Sequence, residues 1–199
     1  MTVFNSLEQP ELISSLQNNA VGIIPTDTIY GLVGKALHVP SVEKIYDLKD
    51  RTPDKPCIIL INSVDDLASF LIELPDPTRK KLADLWPAPL SVIVPCKNNY
   101  FEYLHRGTES LAFRIPDNQE LLKLLDIVGP LIAPSANPEG KNPATTLQEA
   151  QEYFNEKVEF YVDAGKLKGK PSTVVSFLTD TPTIIRDGVL DASRLLRHE

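Results

Sequence analysis

The chain has 199 residues, a formal net charge of −7 at pH 7 and 42% hydrophobic residues. A chain of this length and composition can bury one substantial core, so we expect a single domain over residues 1–199. The acidic balance argues against a broad basic face that wraps nucleic acid, and the apolar runs are too short to cross a bilayer, so we expect a soluble cytoplasmic protein with no membrane contact.

Apolar strands that alternate with helices are predicted along the whole chain. The first helix ends near Asn18 and is followed by a strand at Val21–Pro25, and "VPSVEKIYDLK" (39–49) has helical spacing with Ser41 placed to cap it. Further strands are predicted at Cys57–Ile61, Ser91–Pro95, Leu111–Ile115, Leu131–Ala133, Phe160–Val162, Thr173–Phe177 and Thr183–Arg186. Further helices are predicted around Asp65–Leu71, Pro77–Leu85, Asn118–Ile127 and Thr146–Tyr153, the last with a capping box formed by Thr146 and Glu149. This order predicts an α/β (α+β) fold with a twisted mixed sheet and flanking helices.

The cysteines and histidines do not suggest a metal site. Cys57 and Cys96 each lie in an apolar, β-rich run, where a buried and unreactive thiol is expected. His38, His105 and His198 are scattered without the spacing of metal ligands. We therefore predict neither a disulfide framework nor a structural metal.

Two apolar strands run into polar sequences that suit a small-molecule pocket. "IIPTDTIYGL" (23–32) places hydroxyls, a carboxylate and a glycine directly after a strand. "LIAPSANPEGKNPATT" (131–146) does the same, and Ser135 and Asn137 can share one face there. An Asn side chain both donates and accepts hydrogen bonds, which suits recognition of a base or ribose. Taken alone, each stretch is also compatible with an ordinary turn, capped by Asp27 in the first case.

Positive charge stands next to two other strands. In "YDLKDRTPDKPCIILI" (46–61), Lys49 and Arg51 lie two apart where a helix gives way to extended chain, so both can point the same way. A guanidinium fork beside an ammonium suits a phosphate or carboxylate. Within residues 168–188, Ser172 precedes one strand and Arg186 ends another. Solvated surface positions are the alternative for both stretches.

The ordered set "PTDTIYGL", "KDR", "PSAN", "STVV" and "IIRDG" resembles the YrdC family of threonylcarbamoyl-AMP synthases, over about Val21 to Gly188. The resemblance implies an enzyme that joins L-threonine, bicarbonate or carbon dioxide, and ATP into threonylcarbamoyl-AMP and pyrophosphate. It also implies that a separate tRNA-modifying transferase complex consumes this product. The chain contains neither a Walker A loop nor a G-x-G-x-x-G fingerprint, so it would bind the nucleotide through another architecture.

The resemblance also assigns roles to individual residues. Lys49 and Arg51 would be the catalytic cations that offset charge at the α-phosphorus. Threonine contacts would come from Thr26, Arg114, Ser135 and Ser172, and ATP contacts from Lys49, Arg51, Ser110, Asn137, Thr145 and Arg186. Mg²⁺ would be carried in by ATP, since the sequence has no dedicated carboxylate cage. We expect Lys49, Arg51 and Arg186 to converge on one basic cavity, with the loop Asp50–Pro56 mobile or holding an anion.

Two departures keep alternatives open. Thr52 stands where many relatives have proline after the K-x-R pair, and "DTPTIIRDGVLD" also resembles the YciO paralogues. Retention of Ser135 and Asn137 in an S-x-N motif favours the synthase. The alternatives are a YciO-like enzyme with another acceptor and a non-catalytic module that binds double-stranded RNA or tRNA in a basic groove. Weak direct RNA binding is compatible with either enzyme.

Overall fold

The computed structural model describes residues 2–50, 52, 56–167, 169–179 and 181–191. The strands are β1 (Thr2–Phe4), β2 (Gly22–Pro25), β3 (Tyr30–Lys35), β4 (Ile58–Leu60), β5 (Leu90–Pro95), β6 (Ser110–Arg114), β7 (Leu131–Ile132), β8 (Phe160–Val162), β9 (Thr173–Ser176) and β10 (Thr183–Arg186). The α-helices are α1 (Pro10–Gln17), α2 (Val39–Lys49), α3 (Asp76–Leu85), α4 (Glu102–His105), α5 (Gln119–Val128) and α6 (Leu147–Phe154). Short 3₁₀ helices lie at Val64–Phe70, Asn99–Phe101 and Asn155–Lys157. None of the described helices combines the length and apolarity that a membrane span requires.

The described strands join into one sheet in the order β1-β8-β2-β3-β7-β4-β6-β5-β9-β10. The pairs β1–β8, β8–β2, β4–β6 and β5–β9 are parallel, and the other neighbours are antiparallel. The prediction of a mixed α/β sheet with flanking helices is therefore confirmed. Because parallel pairs need crossover connections, helices lie between many of the strands.

Both faces of the sheet are buried. Successive strand residues point to opposite faces, so Ile23 and Ile59 belong to one apolar cluster while Ile24 and Leu60 belong to another. The first cluster packs against α2 and α6, and the second against α1 and α5. Strands that are apolar on both sides explain the continuous Ile and Val runs in the sequence.

The predicted strands and helices are confirmed to within a few residues, but β1, β3 and α4 were missed. β3 has the sequence "YGLVGK". Glycine is uncommon in strands, so its two glycines made this strand hard to predict. A Cβ at Gly34 would lie 3.1 Å from the Ser41 Cβ and 3.2 Å from Val21 Cγ2. The glycine therefore allows α2 to pack closely on β3.

Two capping predictions met different outcomes. The prediction that Ser41 caps α2 is wrong, because His38 takes the N-cap position and the Ser41 hydroxyl donates to the Asn19 carbonyl at 2.8 Å. Thr146 does cap α6, since its hydroxyl accepts from the Glu149 amide at 3.3 Å. A capping box predicts that the Glu149 carboxylate accepts from the Thr146 amide. It accepts instead from the amide of Thr145, one residue earlier, at 2.6 Å.

Candidate active site

Two adjacent cavities lie among the loops that leave the strands. The first, of ≈ 100 Å³, is bordered by polar side chains and is called here the Arg114 cavity; its polar side chains are Thr26, Thr28, Tyr30, Arg114, Ser135, Ser172 and Arg186. The second, of ≈ 240 Å³, is called the Ser110 cavity and includes Thr108, Ser110, Ser135 and Arg186 among its lining. Ser135 and Arg186 border both, so the cavities are neighbours. A wider groove of ≈ 670 Å³ is bordered by residues 71–75, 77–78, 81, 95–98, 177–179 and 182, which include none of the predicted site residues.

The turn between β2 and β3 is shaped by Thr26. Its buried hydroxyl donates to the Ile29 carbonyl at 2.7 Å and accepts from the amides of Thr28 and Ile29 at 3.2 and 3.3 Å. The Thr28 hydroxyl lies 3.1 Å from that of Thr26. Side-chain oxygens that bond backbone amides two or three residues on favour tight turns, so the sequence "PTDT" turns the chain back at the cavity wall.

Arg114, at the end of β6, forms a buried ion pair with Asp27 of this turn. The Arg114 Nη2 and Asp27 Oδ1 atoms are 3.2 Å apart, and the two side chains are 5% and 3% exposed. The other Asp27 oxygen accepts from the Asp117 amide at 3.3 Å, and Arg114 Nη1 lies 3.5 Å from the Thr28 hydroxyl. The buried Nε of Arg114 has no hydrogen-bond partner among the described residues. The guanidinium is thus held in place and keeps donor capacity for a ligand.

Burial sets the electrostatics of this pair. Burial raises the pKa of the Asp27 carboxyl, and the nearby Arg114 charge opposes that rise. Burial also lowers the pKa of Arg114; Asp27 counters this, while Arg186 lowers it further. Arg186 is therefore close enough to Arg114 for the two cations to repel. Two guanidinium groups that border one small cavity suit an anionic ligand.

Arg186, at the end of β10, reaches back to the start of β9. Its Nε and Nη2 donate to the Ser172 carbonyl at 3.3 and 2.8 Å. The Ser172 hydroxyl lies 3.3 Å from the same Nη2 and 2.9 Å from the hydroxyl of Ser91 on β5. Two predicted residues, which are 14 positions apart, thus meet at the same cavity.

The glycine of "IIRDG" permits this approach. A Cβ at Gly188 would lie 2.2 Å from the backbone carbon of Ser172 and 2.3 Å from the amide nitrogen of Thr173. The Gly188 amide donates to the Thr173 hydroxyl at 3.0 Å, and the next amide, that of Val189, donates to the Pro171 carbonyl at 3.0 Å. A larger residue would push Ser172 away from the cavity.

The structure corrects the expected position of Lys49. Lys49 was predicted to converge with Arg186 on the cavity, but its side chain is 1% exposed and lines neither cavity. Its ammonium donates to the carbonyls of Ser135 and Asn137 at 2.5 and 2.6 Å. A buried ammonium needs oxygen partners, and the Ser135–Asn137 loop supplies them. Arg51, together with residues 53–55 of the loop expected to be mobile, lies outside the described residues.

The other predicted ATP contacts occupy different places. Ser110 lies in the wall of the Ser110 cavity. The side-chain Nδ2 of Asn137 donates to the carbonyls of Pro138 and Lys141 at 2.9 and 2.7 Å. This side chain therefore stabilises its own loop. Thr145 borders neither cavity, and its hydroxyl donates to Glu149 at 3.0 Å.

Sequence reasoning missed Asp27 and Ser91 as members of the site. Asp27 was considered only as a turn cap, although its place between two threonines after an apolar strand was a usable signal. Ser91 is a fully buried hydroxyl inside "LSVIVP" and gave no signal of its own. Among the described residues, no group of three or more His, Cys, Asp or Glu side chains is arranged to hold a metal ion.

Comparison with known proteins gives a family match over most of the chain. The Sua5–YciO–YrdC family, described as "Telomere recombination", matches residues 14–188. Proteins named threonylcarbamoyl-AMP synthase are 33% identical over 168 residues in Pyrococcus abyssi and 34% identical over 176 residues in Bacillus subtilis. These alignments cover 83% and 87% of this chain but 49% and 51% of the relatives, so the chain spans about half the length of the curated relatives it matches. A crystal structure of P. abyssi Sua5 complexed with L-threonine has a TM-score of 0.89 and 29% identity, covering 98% of this chain and 60% of that one.

Proposed function

The chain belongs to the Sua5–YciO–YrdC family, and from that premise we propose that it makes threonylcarbamoyl-AMP and pyrophosphate from L-threonine, bicarbonate or carbon dioxide, and ATP. The observation that carries the proposal is the Arg114 cavity. It offers a buried, oriented guanidinium beside hydroxyls, within a volume that suits a small amino acid better than a nucleotide. The P. abyssi Sua5 structure contains L-threonine, which supports threonine as the amino-acid substrate.

Threonine would bind with its carboxylate on Arg114. The guanidinium faces Asp27 on one arm and has a buried Nε with no partner among the described residues, so it can donate to a carboxylate. The hydroxyls of Thr26, Ser135 and Ser172 would contact the rest of the amino acid, with Thr28 beside them. Ser91 would hold the Ser172 hydroxyl in place at 2.9 Å.

The reaction joins two anions, so cations must lower their repulsion. The neutral amine of threonine adds to carbon dioxide and loses a proton, which gives a carbamate. A carbamate oxygen then forms a bond to the α-phosphorus of ATP as the bond to pyrophosphate breaks. Arg186, which borders both cavities, and the K-x-R residues Lys49 and Arg51 are the groups that we propose for charge stabilisation. Because the carbamate and the mixed anhydride both hydrolyse, the reaction also requires that water be kept away from the bound intermediates.

ATP would occupy the Ser110 cavity and extend over Arg186. Ser110 borders that cavity directly, whereas Lys49, Asn137 and Thr145 line neither cavity and would have to move to contact the nucleotide. Mg²⁺ would arrive with the polyphosphate of ATP, since oxygen ligands from phosphate and water suit that ion. We place the activity in the cytoplasm, where a tRNA-modifying transferase complex would take up the adenylate.

The test is incubation with ATP, Mg²⁺, L-threonine and labelled bicarbonate, followed by measurement of pyrophosphate and the labelled adenylate. We expect both products only when threonine is present. Valine should be rejected strongly because it leaves the hydroxyl's partners unpaired, and serine should lose only about 10- to 200-fold for one methyl group. Absence of threonine-dependent pyrophosphate would refute the proposal, and tRNA binding without turnover would favour the RNA-binding alternative.

A further inference from the structure

Ser91 is a buried hydroxyl on an otherwise apolar strand. The neighbouring β5 side chains Leu90, Val92 and Val94 belong to the first apolar cluster. Because side chains alternate along a strand, Ser91 points to the opposite face, and it is 0% exposed. The next β5 residue on that face, Ile93, borders the Ser110 cavity. Ser91 itself borders neither cavity, so it can act on a ligand only through a neighbour.

The pairing of β5 with β9 brings Ser91 to Ser172. In this parallel pair Ser91 lies opposite Val174, which shares a face with Ser172 two residues earlier. Val174 borders the Ser110 cavity and Ser172 borders the Arg114 cavity. The Ser91 and Ser172 hydroxyl oxygens are 2.9 Å apart, which is a hydrogen-bond distance. Among the residues that the structure describes, Ser172 is the one polar partner of the Ser91 hydroxyl.

Arg186 decides which of the two serines donates. Its Nη2 lies 3.3 Å from the Ser172 hydroxyl oxygen, and a guanidinium only donates, so Ser172 accepts from it. If Ser172 also donated to Ser91, the buried Ser91 proton would have no acceptor within the described part of the chain. A buried donor without an acceptor is costly, so Ser91 donates to Ser172. A hydroxyl oxygen can accept twice, and Ser172 therefore keeps its own proton for the cavity.

We propose that Ser91 is a positioning residue for threonine: by donating to Ser172, it leaves the Ser172 proton directed into the Arg114 cavity as a donor to the substrate carboxylate. This inference rests on the proposed function, because threonine is the ligand assigned to that cavity. A carboxylate only accepts, so a Ser172 proton turned toward Ser91 could not bind it. The threonine carboxylate is unchanged by the reaction, so this bond is equally strong in the ground and transition states. Ser91 therefore acts on the KM for threonine and not on kcat.

The experiment measures pyrophosphate release against threonine concentration and, separately, against ATP concentration. We expect Ser91→Ala to raise the KM for threonine about fivefold, the effect of one neutral hydrogen bond, and to leave kcat within about twofold of wild type. The KM for ATP should also stay within about twofold, because Arg186 keeps its bonds to the Ser172 carbonyl. Ser41→Ala is the matched control and should change none of these values. It removes another buried hydroxyl, which donates to the Asn19 carbonyl and borders neither cavity.

A second pair of variants separates the hydroxyl from the packing of β5. Ser91→Thr and Ser91→Val have nearly the same shape, so any strain from the added methyl group is common to both. Only the threonine variant keeps the donor, and its KM for threonine should be about fivefold lower than that of the valine variant.

A double-mutant cycle tests whether Ser91 acts through Ser172. Ser172→Ala should raise the KM for threonine at least about tenfold, and adding Ser91→Ala should raise it by no more than about twofold further. An unchanged threonine KM in Ser91→Ala would overturn the inference, as would equal values for the Thr and Val variants or a full Ser91 effect without the Ser172 hydroxyl. If wild-type protein releases no threonine-dependent pyrophosphate, the proposed function fails instead, so the two failures are distinguishable.

Discussion

The two sides of the candidate site are built in different ways. On the Arg114 side, a buried ion pair and buried hydroxyls come from strand ends and a tight turn, and they are assembled before any ligand binds. On the Ser110 side, Arg186 is an exposed side chain and Thr145 lies away from the cavity wall. A small ligand of fixed shape can be met by rigid groups, whereas a long polyphosphate must be enclosed by loops.

This difference separates stability from activity. Groups buried in the Arg114 cavity hold the β2–β3 turn to β6, so changing them should damage both the fold and threonine binding. On the Ser110 side, Arg186 is exposed and Thr145 belongs to a loop, so changing either should reduce ATP use at little cost in stability.

Arg114→Leu should reduce kcat/KM for threonine by about 10³-fold, because it removes the only cation that the proposal gives to the threonine carboxylate. Threonine-dependent pyrophosphate release, measured over a range of threonine concentrations, gives this number. Arg79→Leu, which removes an exposed arginine of α3 that pairs with Asp65, is the matched control. Activity of Arg114→Leu within tenfold of wild type would remove the carboxylate clamp from the proposal.

Removing one partner of the Asp27–Arg114 ion pair should lower the free energy of unfolding more than removing both partners does. Arg114→Leu leaves the Asp27 carboxyl buried without its cation, which should cost about 3–5 kcal/mol in the free energy of unfolding. The double variant Asp27→Asn with Arg114→Leu removes that isolated charge and should recover at least half of the loss. Urea unfolding of the wild type and the two variants measures both values. A double variant no more stable than Arg114→Leu would show that packing, not charge, is what the pair contributes.

Arg186→Ala should show the opposite balance. We expect kcat/KM for ATP to fall about 10²-fold, since a cation at the phosphates is lost, while the unfolding free energy changes by less than about 1 kcal/mol. Pyrophosphate release against ATP concentration and urea unfolding test the two halves separately. A large stability loss with unchanged ATP kinetics would make Arg186 a structural residue that fixes Ser172.

The sequence predicted the sheet well because its strands are apolar on both faces and read as unbroken Ile and Val runs. It also predicted that Thr26, Arg114, Ser135, Ser172 and Arg186 belong together, and the structure places all of them on the Arg114 cavity. Their roles as ligand contacts stay predictions.

The position of Lys49 could not be predicted from the sequence. A lysine two residues from an arginine suggests an exposed pair, and only the tertiary structure shows that carbonyls of a loop 86 residues away enclose its ammonium. The role of Asp27 in the ion pair was not predicted for a related reason, because its partner Arg114 is also distant in the chain. Contacts between loops that are remote in sequence carry no local pattern.

The smallest expected effect concerns pH and tests which force dominates at Asp27. Burial raises the pKa of this carboxyl above the ordinary value of 3.8, and Arg114 opposes the rise. The folded protein therefore binds the Asp27 proton more tightly than the unfolded chain does, so this contribution to stability is full below about pH 3.8 and is lost as the pH rises through the raised pKa.

Asp27→Asn cannot titrate at this position, so the unfolding free energy of wild type minus that of Asp27→Asn should fall as the pH rises from about 3.8 and then become constant. Urea unfolding of both proteins at a series of pH values gives this difference. Glu152→Gln, which removes an exposed carboxyl, shows the change expected without burial. A difference that rises with pH would mean that Arg114 lowers the Asp27 pKa more than burial raises it. The ion pair with Arg114, and not burial, would then dominate the electrostatics of the β2–β3 turn.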